Sequence, residues 1–242
     1  MEYFLLIFAG KTIAILCLLI NKAIKTLSIS PLFIASASQA TIIDYYDTIT
    51  NGQSQFLSTV TNAGGSVSST TLTGISSGSS WVQPDFTITT SDGNSAGVYS
   101  PSYSNSTGQM IKIDPEDNGD GTGAGSGLTF TFNSAINALG FEVGDWATCC
   151  FTSELFISFD GGAAIKVASA TQASDNPATA AGGASGAAFF VGAIDDSATF
   201  TSVTFFGNGF GEILTAGGTI QYSALKVGSV SVPEPSSIAI LA

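Results

Sequence analysis

The residues of this chain that could do chemistry are two adjacent cysteines, a short acidic loop and a few aromatics. Cys149 and Cys150 are the only cysteines beyond the first 40 residues, since Cys17 lies in an apolar N-terminal run. Neighbouring cysteines can close a strained disulfide ring, which an oxidising compartment tolerates. Such a bridge would pin the turn after Trp146. Two thiols with no histidine and no further cysteine do not make a zinc site. Asp114, Glu116, Asp117 and Asp120 place four carboxylates in a Gly-containing loop. Calcium takes roughly six to eight oxygen ligands from loops of that kind. The spacing departs from the EF-hand pattern, because Glu116 stands where Asp or Asn belongs and no closing Glu follows. Calcium is thus the one candidate cofactor, and a solvated acidic turn is the plainer reading.

Asp145, Trp146, Trp81, Tyr99, Tyr103 and Tyr222 suit a glycan site, where ring faces and short polar groups do the binding. The alternative places both tryptophans in a core or at a sheet edge. Asp195 and Asp196 would serve a retaining glycosidase only with a second carboxylate about 5 Å away, and no spacing supplies one. The chain has no His and no Arg. A Ser-based triad therefore has no base, and phosphate or nucleic-acid recognition has no guanidinium. The formal net charge of −12 also repels nucleic acid and anionic lipid.

The elements that must position these residues read as strands. Charged residues are only 10% of the 242, against a usual quarter, so the side chains that favour helices are scarce while Gly, Ser and Thr abound. Period-2 patterning predicts strands at 41–46, 86–89, 110–113, 128–132, 138–143, 155–159, 164–167, 187–193, 200–206 and 220–227. Asp160-Gly161-Gly162 marks a hairpin turn between two of them. Residues 62–80 read as weak edge strands or a loose loop, and 169–185 as a small-residue loop around Asn176-Pro177. One turn of helix is expected near 54–60. About ten short strands without long helices predict an all-β fold, an antiparallel two-sheet β-sandwich of jelly-roll, lectin-like type. Phe130, Phe132, Phe141, Phe159, Val203 and Phe205 should lie between the sheets.

The ends are different. Lys22 and Lys25 precede an apolar run over 27–37 that closes on Ser38-Gln39-Ala40, the layout of a secretory signal peptide. Cleavage between Ala40 and Thr41 is expected, leaving a mature chain of about −14 once Glu2, Lys11, Lys22 and Lys25 are gone. The earlier apolar run over 3–20 fits either a true start downstream of Met1, near Leu18 to Ile20, or a long signal with an upstream membrane segment. At the other end, Val232-Pro233-Glu234-Pro235 precedes a small apolar run of 7 residues, 236–242. A spanning helix needs about 20, so this reads as the first third of one.

A secretory signal at one end and Val232-Pro233-Glu234-Pro235 at the other resemble the PEP-CTERM proteins of Gram-negative bacteria. In that family a Pro-Glu-Pro motif stands before a transmembrane helix and an Arg-rich tail, and the membrane protease exosortase processes it. The copy here is truncated within the helix. Residues 136–146, 155–161 and 195–211 are loosely similar to the sandwich bodies of that family, which implies a fold rather than an activity. The expected organisation is a targeting segment at 1–40, a β-sandwich at 41–230 and the start of a sorting and anchor segment at 231–242.

Two functions follow. One is a non-catalytic exported protein of the bacterial surface or extracellular matrix, sorted by exosortase and binding exopolysaccharide. The other is a secreted glycoside hydrolase or lyase working with carboxylates alone. Lack of His and Arg favours the first. Its partners would be signal peptidase, exosortase and a polysaccharide, with no nucleic acid, and with membrane contact only through the C-terminal anchor. An acidic body calls for a neutral or cationic glycan, or an acidic one bridged by calcium.

Overall fold

The computed structural model describes residues 42–115, 127–208 and 213–230. In chain order the strands are β1 (Ile42–Thr48), β2 (Ser68–Thr71), β3 (Ser80–Val82), β4 (Phe86–Thr90), β5 (Val98–Tyr99), β6 (Met110–Ile113), β7 (Leu128–Ile136), β8 (Ala138–Gly144), β9 (Ser153–Phe159), β10 (Ile165–Ala170), β11 (Phe189–Asp195), β12 (Phe200–Asn208) and β13 (Leu214–Ser223). Two helices join them, α1 (Ile49–Asn62) and α2 (Pro177–Ala180).

The strands form two antiparallel sheets. The first runs β1-β11-β8-β13-β6-β5, with β2 also on β13, and the second runs β10-β9-β12-β7-β4-β3. Within them, β6-β13-β8-β11 faces β7-β12-β9-β10, and from β6 to β13 the chain crosses from sheet to sheet between successive strands except at the β9-β10 hairpin. That is the jelly-roll order. The core between the sheets contains all six residues expected there. Phe130 stacks on Phe141 at 5.4 Å and Phe141 meets Phe205 edge-on at 4.8 Å, so aromatics bridge the two sheets.

The β9-β10 hairpin forms as its sequence predicts. Asp160 and Gly161 have φ of 45° and 69°, the positive pair a two-residue primed turn requires, and Gly162 N–H donates to the Phe159 carbonyl at 2.8 Å. Residues 62–80 contribute edge strand β2 and only the first residue of edge strand β3. The last strand lies earlier than expected, at Leu214–Ser223 rather than 220–227.

Two expectations are corrected. The helix is 14 residues long, not one turn. Its own propensities are poor, but Gly52, Phe56 and Val60 make a buried stripe at i, i+4, i+8, and tertiary packing overrides propensity. Phe190 is the knob beneath it. A Cβ on Gly52 would lie 2.6 Å from Phe190 Cβ, and one on Gly140 would lie 2.2 Å from its Cζ. Only glycine lets helix and strand approach this ring so closely. Secondly, the period-2 pattern of 138–143 implies one buried and one wet face, but all seven residues of β8 are buried. Ala138 packs with the α1 cluster, and Glu142 lies under residues 104–108.

Candidate functional site

The aromatics divide into two classes. Trp81, Trp146 and Tyr222 belong to the core, which removes them from the glycan candidates. Trp81 donates its indole N–H to the Ser76 carbonyl, Trp146 packs against Tyr46 and Phe189, and Tyr222 gives its hydroxyl to Asp85 at 2.5 Å. Tyr99 and Tyr103 instead stack on each other at the edge of the first sheet, with centroids 4.5 Å apart and planes 25° apart. Tyr103 is 50% exposed.

Local sequence explains this placement. Pro101 opens a 3-10 turn over Pro101–Tyr103, and its preset φ suits the first position. The turn returns Tyr103 over Tyr99 of β5. The rest of the loop is held from beneath by Glu142. This fully buried carboxylate accepts from Thr107 N–H at 2.7 Å, from the Thr107 hydroxyl and from Thr219 N–H at 3.1 Å. Burial pushes the Glu142 carboxyl up, and the Thr107 and Thr219 donors oppose that shift. Its signal in the sequence was a charge at an outward position of a central strand, where the alternation predicts a wet face.

Asp145 follows β8 and completes the group. Its Oδ2 accepts the Tyr103 hydroxyl at 2.8 Å. This bond, with burial adding to it, pushes the Tyr103 phenol up to about 12. Burial raises the Asp145 carboxyl and the Tyr103 bond partly offsets it. Asp145, Ala147 and Cys150 have φ of 58°, 62° and 62°, left-handed values that cost a non-glycine residue energy and cluster at functional sites. The Cys149–Cys150 disulfide is formed in this turn, and both cysteines, with Phe151, are exposed. Asn176 anchors the same turn. Its buried amide donates to the carbonyls of Trp146 and Ala187 at 3.2 Å, while its Oδ1 caps α2 through Ala178 and Thr179 N–H. The Asn-Pro pair marked a loop in the sequence, and nothing local pointed to its long-range partners.

A polar cleft of about 190 Å³ adjoins the tyrosines, lined by residues including Asp92, Asn94, Ser95, Gly97, Lys112 and Asp114. Gly97 of its lining neighbours both Tyr99 and Lys112, since a Cβ there would meet Tyr99 Cε2 at 3.9 Å and Lys112 Cβ at 4.0 Å. Lys112 Nζ pairs with Asp114 Oδ1 at 3.0 Å. Asp92 accepts from Asn94 N–H and its side-chain amide. Asp114 thus serves this cleft. Its calcium companions Glu116, Asp117 and Asp120 lie outside the described residues, as do Ala40, Thr41 and Val232-Pro233-Glu234-Pro235. Among the described residues no three metal-ligating side chains gather. Asp195 and Asp196 do other work. Asp195 accepts from Ser197 N–H, and buried Asp196 accepts from Val230 N–H at 2.8 Å.

No protein-family model matches the chain, and no curated protein sequence does. Among solved structures, two variants of CBM29-2 are similar to the chain. They were studied for ligand recognition by family 29 carbohydrate binding modules. Each has a TM-score of 0.37 and 11% identity, over 69% of this chain and 99% of the module. The catalytic unit of a GH87 alpha-1,3-glucanase from Streptomyces thermodiastaticus strain HF3-3 is similar at a TM-score of 0.33 and 14% identity, over 63% of this chain and 28% of its own.

Proposed function

We propose that this chain is an exported, non-catalytic protein of the bacterial surface or extracellular matrix whose sandwich binds polysaccharide at the Tyr99–Tyr103 edge. The observation that carries the reading is the stacked pair, half exposed at Tyr103, bonded to a carboxylate and close to a polar cleft through Gly97. A sugar ring offers CH groups to an aromatic face and hydroxyls to short polar side chains, and this edge presents both partners. Binding is favoured over catalysis because each carboxylate here already holds a neighbouring side chain through at least one oxygen. Asp145 holds Tyr103, Asp114 holds Lys112 and Asp92 holds Asn94. The signal-like segment before Thr41 and the Val232-Pro233-Glu234-Pro235 motif support export and sorting by exosortase.

Affinity electrophoresis through gels containing neutral polysaccharides tests the binding. The protein should be retarded, and Tyr103→Ala should weaken retardation about tenfold or more, as loss of an aromatic anchor does. Unchanged migration in every gel contradicts the reading. Release of new reducing ends during incubation would point to the hydrolase instead.

A further inference from the structure

Asp145 sits at the aromatic pair with half of its hydrogen-bonding capacity unused. Its Oδ2 takes the Tyr103 hydroxyl, and among the described residues its Oδ1 accepts no hydrogen bond. It has no ion-pair partner among those residues, where the two salt bridges are Lys112–Asp114 and Lys166–Glu154. The residue is half-buried, and its Oδ1 lies beside Gly186, 3.2 Å from where a Cβ there would stand. Beside it stand two ring systems whose faces carry the negative end of the quadrupole and so attract cations. The whole chain adds a formal charge of −12, which concentrates cations at its surface. A neutral sugar would use the tyrosine faces and leave Asp145 Oδ1 to a hydroxyl. A ring carrying an ammonium group would use both, and would also meet the charge.

We infer that the site selects a cationic amino sugar, a polymer of glucosamine with free amines, whose ammonium group sits between the Tyr103 face and Asp145 Oδ1. The inference rests on the glycan-binding reading above and adds the ligand class and the residue that chooses it. Tyr103 supplies the surface on which any sugar stacks. Asp145 distinguishes the amine from the acetamide and the hydroxyl that replace it in related polymers. The Tyr103 hydroxyl bond fixes the carboxylate, so little side-chain freedom is lost on binding.

The test compares β-1,4-linked oligomers of glucosamine, N-acetylglucosamine and glucose by calorimetry at about pH 6, above the ordinary carboxylate range. The protein should bind the glucosamine oligomer about five- to tenfold more tightly than the other two, the size of a partly desolvated cation contact. Asp145→Asn should abolish that advantage while still binding all three. Tyr103→Ala should weaken all three. Asp44→Asn is the charge-matched control, because exposed Asp44 lies on β1 at the opposite edge of the same sheet from β5. Its advantage for glucosamine should survive. Equal binding of the three oligomers overturns the amine selection and leaves the glycan reading standing. So does an advantage that Asp145→Asn retains, or that Asp44→Asn loses equally. Absence of binding to all three, with these and other glycans, overturns both.

Discussion

Glu142 accepts from Thr107 in the loop that follows Tyr103, and its burial predicts a pH-dependent contribution to stability. Its carboxyl is raised above the ordinary 4.5 by burial. Between the unfolded and folded values the native state binds more protons than the unfolded chain, so this group's contribution to stability falls as pH rises through that window. Melting of the wild type against Glu142→Gln should show that decline in the wild type and its loss in the variant. Glu142→Ala leaves the Thr107 and Thr219 donors without their acceptor and should cost roughly 2–4 kcal/mol by denaturant unfolding. A second residue-scale test concerns Tyr103. Asp145→Asn should bring its phenol down from about 12 toward 10.0 in an ultraviolet titration. The tyrosines and Asp145 were visible as residue types, but their meeting was not. Tyr103 and Asp145 are 42 positions apart, and no local pattern encodes that approach. Glu142 was missed because alternation places it outward, and only the overlying loop buries it.

The strands were legible because one face of most of them is buried, and period 2 records that directly in β4, with Phe86, Ile88 and Thr90 inward. The hairpin at Asp160-Gly161 was legible because its turn needs left-handed backbone that few residues supply. Helix α1 was not, since its stripe is three residues in fourteen and one of them is Gly52. That glycine gives a test of which effect governs. Alanine raises helix propensity by about 1 kcal/mol, while its Cβ would overlap the base of Phe190 at 2.6 Å, and overpacking costs about 1–3 kcal/mol. The contact lies on the stiff root of the side chain, so Gly52→Ala should lower the melting temperature. A rise would show that α1 can shift away from the sheet. Asn176→Ala should likewise destabilise by about 1–3 kcal/mol, since it orphans two carbonyls and uncaps α2. It should also weaken glycan binding by loosening the turn that carries Asp145. Wild-type affinity in a folded Asn176→Ala would separate the turn from the site.

At the scale of the molecule, the jelly-roll was predictable from the number of short strands and the scarcity of helix formers, and its strand order came from pairing between strands far apart in the sequence. Export and sorting are proposals of the same scale. In the native host, replacing Pro233, Glu234 and Pro235 together by Ala should leave an unprocessed precursor in the membrane fraction. Processing at the wild-type rate would remove the motif from the account. N-terminal sequencing of the exported protein should begin at Thr41. The central claim is that the β5 edge is a glycan-binding surface, and an amide chemical-shift map over a titration with glycan oligomers tests it most directly. The account predicts that shifts gather at Gly97, Tyr99, Tyr103, Lys112 and Asp145, with residues 49–62 of α1 unmoved. Shifts gathering instead around Asp85 and Tyr222, or on α1, or at no residue at saturating ligand, would contradict it.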